Sequence, residues 1–474
     1  MSAPREVMLS IRRAPLLVLS AVLALSSGAN SDAQTRTTWL GHYREPAARL
    51  VAEATGNAFA WQRLAVLTDT FGHRLSGSPQ LERAIQWAAE EMKRDGLENV
   101  HLEPVMVPKW VRGRERADVV QPAQHALVML GLGDSVGTPA EGIEAEVLAV
   151  QSFAELDAKS ALAKGRIVFF NVPFTNYGDS RLFRMSGPSR AARHGAAATL
   201  IRPIGPTGLR LPHTGVLQYG PDAPKIPAAA VAAEDADLLQ RMASRGQRIV
   251  VRLQMEAHFE GEVESANVVG ELRGRERPDE IVVVGGHLDS WDVGAGASDD
   301  GGGCIATWEA LRLMKKLGLR PRRTVRVVLF TNEENGGRGG LAYRDAHRSE
   351  LSKHVMMLES DTGVFRPTGF GFSGTGQARE TVRAIASLLA PIGATRIESV
   401  GGGADIEPSV REHGIPSLSL EVEGDYFVIH HTPADTVERI DPAHLAKCAA
   451  AVAVMAYVVA DMPHRLGESL GSVP

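Results

Sequence analysis

The stretch that decides the fold is Ile281–Gly303, which reads IVVVGGHLDSWDVGAGASDDGGG. Four consecutive apolar residues, typical of a buried strand, run directly into Gly-Gly-His-x-Asp, and a Gly-rich loop with an Asp-Asp pair follows. An apolar helical pattern then ends at Gly318. The stretch therefore predicts a strand, a polar loop and a helix, with imidazole and carboxylate groups at the carboxyl end of the strand, where α/β sheets bind ligands.

Three more apolar runs after Ser265 repeat this plan, and they read TVRVVLF, HVMMLES and PSLSLEV. Strands that are apolar throughout, without alternation, indicate a parallel-rich sheet that is covered on both faces. The segments between them have helical periodicity, so the sheet is predicted to lie between two helical layers. The fold class predicted for residues 260–474 is therefore α/β, with a parallel-rich mixed sheet between helices.

The segment 137–259 has a different texture, with short β-branched runs broken by Pro and Gly. It is predicted to be a separate α+β module inserted into the larger domain, which would then consist of residues 34–136 and 260–474. The last long helix has Asp441 as N-cap and Pro442 at its first position, and it is predicted to pack on the sheet because its uninterrupted apolar run is too short to span a bilayer.

The composition is that of a soluble globular protein, because 44% of the 474 residues are hydrophobic and 23% are charged. The formal net charge is -5 without blocks of like charge, so no nucleic-acid partner is expected and a small peptide substrate fits better. Both cysteines, Cys304 and Cys448, lie in apolar helical patterns, which predicts buried free thiols. A metal would have to be bound by His, Asp and Glu.

Residues 1–33 have the pattern of a cleavable signal peptide, since three arginines precede the apolar run Ala14–Leu25 and small residues follow it. Cleavage after Ala33 and cleavage after Ala29 both fit the small-x-small rule. A membrane anchor is disfavoured because the run is shorter than the ~20 residues that a span needs. We therefore expect a periplasmic or secreted protein with no stable membrane insertion after cleavage.

Acidic and imidazole groups collect at the predicted carboxyl edge of the sheet. A single histidine or Asp-Asp turn at such a place has an ordinary structural explanation. Several carboxylates at one place would repel one another and partly protonate unless cations compensated them. Two Zn²⁺ ions held by three carboxylates and two histidines, with one hydroxide, would be electrically neutral. The residues at this edge are His287, Asp289, Asp299, Asp300, Glu333, Glu334, Asp361, His430 and His431.

The motifs GHLDSWDVGAGASDDGGG, NEENG, ESDTG and HHTPADT, in this order, resemble the co-catalytic dinuclear zinc peptidases that include bacterial leucine aminopeptidase. The N-terminal segment GHRLSGSPQLERAIQWAAEEMKRDGLENV is similar to the carboxypeptidase Q branch of that family, and the inserted module resembles a protease-associated domain. The resemblance covers most of the chain after residue 33. It implies a three-layer zinc-exopeptidase fold, two Zn²⁺ per chain and a homodimer.

The resemblance also implies a role for individual residues. His287 and Asp361 would bind one zinc, Glu334 and His431 would bind the other, and Asp299 would bridge both. The neighbouring His430 is the alternative to His431, which is preferred because it directly precedes the segment TPADT.

Two further residues would complete the implied mechanism. Glu333 would be the general base that takes a proton from a metal-bridging water and passes it to the leaving amine. Asp289 would orient the His287 imidazole from behind. The family pattern also implies a cis peptide between Asp299 and Asp300.

The substrate side is less determined by the sequence. Asp405 lies in GADIEPSVREHGIP, which resembles the family's substrate-side loop, and it would contact substrate or stabilise a turn. Tyr426 and Phe427 would line the substrate pocket or pack as an aromatic pair. Whether the site reads a free amine or a free carboxylate stays open.

The function implied by the resemblance is a secreted dinuclear zinc exopeptidase that hydrolyses dipeptides or short peptides. Two alternatives are a single-zinc enzyme of the glutaminyl cyclase kind and a peptidase-like binding protein without catalysis. The complete set of implied ligands, together with Glu333, favours the peptidase.

Overall fold

Two eight-stranded mixed sheets organise the chain in the computed structural model, which describes residues 39–468. The predicted signal peptide lies outside the described residues. The strands of the first sheet, in spatial order, are β1 (Glu98–Val111), β10 (His258–Leu272), β12 (Arg323–Phe330), β11 (Arg277–His287), β13 (His354–Glu359), β16 (Ser417–Glu423), β14 (Arg366–Ser373) and β15 (Arg396–Glu398).

The four central strands of this sheet, β12, β11, β13 and β16, are parallel to one another. Antiparallel strands flank them, since β10 pairs with β12 on one side and β14 pairs with β16 on the other. Val284 faces Val327 of β12 and Leu358 of β13, so the motif strand β11 is buried between two apolar neighbours. The predicted parallel-rich mixed sheet is confirmed.

Helices cover both faces of the first sheet. Val282 and Val284 of β11 join the large apolar core on one face, whereas Ile281 and Val283 point to a smaller core on the other. Helices on the large-core face are α1 (Arg44–Thr55), α2 (Phe59–Phe71), α3 (Pro79–Arg94), α8 (Gly302–Lys316), α10 (Gly376–Ala386) and α13 (Pro442–Asp461), and those on the small-core face are α9 (Arg338–Ala346) and α11 (Glu407–His413). The predicted three-layer arrangement is therefore present.

The C-terminal helix α13 is a core helix. By length and composition alone it could cross a membrane, but 83% of its most apolar window is buried inside the protein. Its N-cap is the predicted Asp441, whose Oδ1 accepts hydrogen bonds from the backbone N–H groups of Ala443 and His444. Cys304 and Cys448 are both buried free thiols, as predicted.

The second sheet lies between β1 and β10 in the chain, so it is an insertion into the first domain. Its strands, in spatial order, are β3 (His125–Leu127), β2 (Glu115–Gln121), β9 (Val250–Met255), β5 (Ile143–Val150), β6 (Ile167–Phe170), β7 (Ala198–Ile201), β8 (Ala228–Val231) and β4 (Met129–Gly131). The helices of the insertion are α4 (Phe153–Ala158), α5 (Ser160–Ala163), α6 (Tyr177–Arg193) and α7 (Ala233–Ser244). We call residues 115–255 the inserted module.

The inserted module begins with β2, β3 and β4, which precede residue 137. Two of these strands have only three residues each and divide between them one apolar run, ALVML at residues 126–130, so hydrophobic patterning does not show that two strands are present. The module packs on the first domain through Trp110, whose indole N–H donates to the carbonyl of Ser135 at 2.9 Å, and through Arg112, whose Nη2 donates to the hydroxyl of Thr214 at 3.3 Å.

A charged cluster ties the edge strand β1 to the segment that follows α9. His347 Nε2 lies 2.7 Å from Glu103 Oε1, and its Nδ1 lies 2.5 Å from Glu350 Oε1. Arg326 also reaches Glu350 at 3.1 Å, and His101 lies 3.3 Å from Glu103. Burial alone would lower the pKa of His347, but hydrogen bonds to the two carboxylates outweigh it and raise the pKa above the ordinary 6.5.

We expect His347 to stabilise the fold in a pH-dependent way. Because its folded-state pKa is raised, the contribution is complete below about pH 6.5 and is lost as the pH rises through the folded-state pKa. His347→Gln should lower the free energy of unfolding by about 1–3 kcal/mol at pH 5.5 and by clearly less at pH 9. Urea unfolding at both pH values measures this, with exposed His413→Gln as the control. An equal loss at both pH values would contradict the prediction.

Candidate metal centre

The carboxyl ends of three parallel strands bring the predicted site together. β11 ends at His287, β12 is followed by Glu333 and Glu334, and β13 is followed by Asp361. Asp299 lies in the loop between β11 and α8, and His431 follows the short helix α12 (Tyr426–Ile429). The sheet topology thus collects residues that are far apart in the sequence at one edge.

Asp299 lies between two groups of side chains. Its Oδ1 is 3.3 Å from His287 Nε2, and Asp361 Oδ1 is also 3.3 Å from that nitrogen. Its Oδ2 is 3.2 Å from His431 Nε2, and Glu334 Oε2 is 3.0 Å from the same nitrogen. Each oxygen of one carboxylate therefore faces a separate His-carboxylate pair, and these pairs have the members that the family resemblance implies.

These groups fit metal ions by their chemistry. Histidine nitrogen and carboxylate oxygen are ligands that Zn²⁺ takes in proteins. Glu334 Oε1 and Asp299 Oδ2 are buried, and neither accepts a hydrogen bond. Asp299 Oδ2 is close to His431 Nε2, at 3.2 Å, but this contact is not a hydrogen bond. Burial and the charge of Asp299 raise the pKa of Glu334 to about 7. A cation between these groups would compensate both the buried charge and the missing hydrogen bonds.

The geometry favours His431 over His430 as the ligand that pairs with Glu334. The two imidazole rings stack with their centroids 3.5 Å apart, and His430 Nε2 is 3.5 Å from Asp299 Oδ2. Only His431 approaches Glu334 among the described ion pairs.

The inserted module orients His431. The backbone N–H of Thr214 donates to the carbonyl of His431 at 3.0 Å, and the carbonyl of Thr214 lies 3.3 Å from His431 Nδ1. His213 Nδ1 contacts the carbonyl of His430 at 2.7 Å. With Nδ1 turned to a carbonyl, Nε2 of His431 is left for a metal.

Asp289 acts differently from its predicted role. The His287 Nδ1 lies 3.0 Å from the main-chain carbonyl of Asp289 and 3.7 Å from its carboxylate. The carboxylate instead accepts hydrogen bonds from the backbone N–H groups of Glu333, at 3.1 Å, and Glu334, at 3.3 Å. Residue 289 therefore orients His287 with its backbone and holds the two glutamates with its side chain.

Glu333 is half-buried beside this centre. Burial and the carboxylates of Asp361 and Glu334 raise the pKa of Glu333 well above its ordinary value. A carboxylate with a raised pKa has the proton affinity that a general base needs.

Two anchoring residues were missed by sequence reasoning. Asp435 accepts hydrogen bonds from the backbone N–H groups of Ser298, at 2.7 Å, and Asp299, at 3.1 Å. Arg74 is fully buried and donates to the carbonyls of Leu288, Gly72, Ala295 and Gly296. Asp435 lies inside the quoted motif HHTPADT, which was the available signal, whereas Arg74 follows GH in a segment without an assigned role. The peptide between Asp299 and Asp300 is cis, as the family pattern implies.

The residues predicted on the substrate side surround the centre. Asp405 is 1% exposed, and neither of its carboxylate oxygens has a hydrogen-bond partner. Its backbone N–H donates to Glu359 at 3.1 Å. Tyr426 packs against His430 with ring centroids 4.9 Å apart, and Phe427 stacks on Tyr177 of the inserted module at 5.4 Å.

Comparison with known proteins gives consistent results. The model of peptidase family M28 matches residues 267–456. Carboxypeptidase Q from Bos taurus is 48% identical over 411 residues, which are 86% of this chain and 87% of that protein, and the Homo sapiens protein is 46% identical over the same shares.

Two solved structures are similar to this chain. A peptidase M28 precursor from Shewanella amazonensis is 34% identical with a TM-score of 0.87, covering 90% of this chain and 98% of that one. A zinc aminopeptidase from Bacillus subtilis has the same fold, with 21% identity, a TM-score of 0.65, and coverage of 86% and 96%. The chain therefore belongs to peptidase family M28 and is a metallopeptidase.

Proposed function

We propose that the chain is a secreted or periplasmic dinuclear zinc exopeptidase that hydrolyses dipeptides or short peptides. The observation that carries the proposal is the position of Asp299, whose two oxygens face the pair His287 and Asp361 and the pair His431 and Glu334. A site for one metal would not need a carboxylate shared between two His-carboxylate pairs. The similarity to carboxypeptidase Q over most of both chains supports an exopeptidase.

Five residues would hold the two ions, with His287 and Asp361 at one position, His431 and Glu334 at the other, and Asp299 between them. When bound, zinc lowers the pKa of water and polarises the scissile carbonyl.

The chain's own residues would then move the proton and keep the geometry. Glu333 would take a proton from the attacking water onto its carboxylate and deliver it to the nitrogen of the leaving amine. Asp289 would fix the backbone of Glu333 through the hydrogen bond of 3.1 Å to its N–H. Asp435 would fix the backbone of Asp299 in the same way, at 3.1 Å. These hydrogen bonds restrict the motion of Glu333 and Asp299 before the substrate binds.

The decisive experiment measures zinc per chain and dipeptide hydrolysis on the same purified sample. We expect two zinc ions per chain, loss of hydrolysis in a chelator, recovery with added Zn²⁺, and no effect of a serine-directed reagent. One zinc without cleavage would favour the cyclase alternative. A protein that takes up no zinc and cleaves nothing would favour the binding-protein alternative.

Glu333→Gln tests the general base. The substitution keeps the size and the backbone hydrogen bond to Asp289 but removes the proton acceptor. We expect two zinc ions to remain and kcat to fall by about 10²–10⁴-fold. Exposed Glu380→Gln on α10 is the matched control and should keep normal turnover. Near-normal kcat in Glu333→Gln would remove this residue as the base.

Asp299→Ala tests the shared carboxylate. Because both ligand pairs lose the same residue, zinc content should fall at both positions rather than at one. Metal analysis after dialysis, together with the titration of zinc back into the protein, measures this loss. An unchanged content of two zinc ions would refute the bridging role.

A further inference from the structure

A turn of the inserted module faces the segment that carries the two glutamates of the centre. The turn comprises residues 132–135 and is closed by a hydrogen bond of 3.1 Å from the backbone N–H of Ser135 to the carbonyl of Leu132. Within it, Asp134 has φ +64, a left-handed conformation that few residues other than glycine adopt. The one hydrogen bond that its carboxylate accepts within residues 39–468 comes from Asn335 Nδ2, at 3.2 Å.

The turn is packed tightly against the first domain. A methyl group added to Gly133 would be 1.8 Å from a ring carbon of Trp291, so the backbone of the turn lies directly on that ring. Trp291 in turn packs edge-on against His431, with ring centroids 5.7 Å apart. The backbone N–H of Gly133 also donates to the carbonyl of Gly215 at 3.0 Å. These contacts fix the position from which Asp134 reaches Asn335.

A continuous chain of side-chain hydrogen bonds leads from Asn335 to Asp289. Asn335 Oδ1 accepts a hydrogen bond from Asn332 Nδ2 at 2.8 Å, and the same nitrogen donates to Ser76 Oγ at 3.1 Å. Ser76 Oγ donates to Asp289 Oδ2 at 3.3 Å. None of these four side chains belongs to a residue that is more than 4% exposed. The chain is therefore shielded from water, and each member depends on its neighbours for hydrogen bonds.

This chain of hydrogen bonds ends at the carboxylate that holds the two glutamates. Asp289 accepts hydrogen bonds from the backbone N–H groups of Glu333, at 3.1 Å, and Glu334, at 3.3 Å. Asn335 is also the residue that directly follows Glu334 in the sequence. Asp134 is therefore connected to the glutamates by two routes, one along the backbone and one through Asp289.

The charge of Asp134 needs an explanation beyond cohesion between the two domains. Burial raises the pKa of Asp134 to about 6, although the hydrogen bond from Asn335 and the charge of Lys225 lower it. Burial thus disfavours the ionised form, and a neutral side chain would join the domains without this cost. A charged acceptor, however, binds an amide N–H more strongly than a neutral one does. The charge therefore serves to hold the Asn335 amide firmly.

We propose that Asp134 is a positioning residue, which acts through Asn335 on the two glutamates of the centre. Glu334 is a ligand of one proposed zinc position and Glu333 is the proposed base, so a loosened Asn335 would affect turnover and one of the two zinc ions. The other zinc position would keep its ligands in place. The proposal rests on the proposed peptidase function and gives the inserted module a part in the reaction.

Asp134→Gly tests the proposal, because glycine removes the carboxylate and adopts a left-handed backbone without strain. At pH 8, above the pKa of Asp134, we expect kcat for the dipeptide Ala-Ala to fall by about 3- to 10-fold, with KM within about twofold of the wild type. In a competition titration with a zinc chelator, one zinc ion should bind about 3- to 10-fold more weakly and the other as in the wild type. Exposed Asp222→Gly on the same module is the matched control and should change neither quantity.

Two further substitutions test the route through Asn335. Asp134→Asn keeps an acceptor oxygen but loses the charge, so its kcat should lie between those of the wild type and Asp134→Gly. Asn335→Ala removes the donor of the same hydrogen bond. Because Asp134 acts through Asn335, the combined variant Asp134→Gly/Asn335→Ala should be no less active than Asn335→Ala alone.

Normal kcat in Asp134→Gly, with both zinc ions bound as tightly as in the wild type, would overturn the proposal. Together with a lower temperature of thermal unfolding, that result would mean that Asp134 only joins the two domains. Additive losses in the combined variant, or an equal weakening of both zinc ions, would also overturn it. If Asp134→Gly does not fold, Asn335→Ala breaks the same bond from its other end and decides by the same two measurements. A wild type that binds no zinc and does not cleave Ala-Ala would contradict the proposed function, whereas an active two-zinc wild type matched by Asp134→Gly would contradict only the role of Asp134.

Discussion

The rest of the site depends on one buried carboxylate that has to serve two partners. Asp299 can face both His-carboxylate pairs only if its backbone is held still, because each oxygen must point in its own direction. Asp435 supplies two acceptors for the backbone at residues 298 and 299, and Arg74 binds the carbonyls at 295 and 296. The loop that carries Asp299 is thus held by the Asp435 carboxylate on one side and by the Arg74 guanidinium on the other. Its glycines allow this close approach, since Gly296 has φ +55 and lies against Arg74.

The inserted module belongs to the site as much as the first domain does. Thr214 contacts His431 with both its backbone N–H and its carbonyl, and a spacer domain would have no need of such a contact. Hydrogen bonds from Trp110 to the carbonyl of Ser135 and from Arg112 to the hydroxyl of Thr214 hold the two parts together close by. Any movement of the module relative to the sheet would therefore also change the orientation of His431.

Much of the fold and of the centre could be predicted because the relevant signals are local. Apolar runs identified the central strands. The position of the polar residues after these runs, at one edge of the sheet, follows from the parallel direction of the strands. The helix N-cap at Asp441 could be predicted from the residues next to it in the sequence. The pairing of the proposed ligands was implied by the resemblance to the zinc peptidases, and the same side chains lie close together in the structure.

What the sequence could not reveal depends on contacts between distant parts of the chain. Arg74 and Asp435 act on a loop more than a hundred residues away from each of them, and Thr214 reaches His431 across two domains. Asp289 was assigned to His287 because the two are neighbours in sequence. Its carboxylate is used by Glu333 and Glu334, which only the pairing of β11 with β12 brings near. The strands β3 and β4 share one short apolar run, ALVML, which does not show where the first strand ends and the second begins.

The direction of hydrogen bonds separates two kinds of carboxylate around the centre. Asp289, Asp435 and Glu359 accept bonds from main-chain N–H groups, so they act as anchors. Asp299, Glu334 and Asp361 point at histidine nitrogens, so only cations can balance their charge. Asp405 belongs to neither kind, because both oxygens are buried without a partner. Burial and the neighbouring Glu359 raise the pKa of Asp405 well above its ordinary value. A raised pKa favours the neutral form of a carboxyl group, so Asp405 differs both from the anchors and from the carboxylates that face histidine nitrogens.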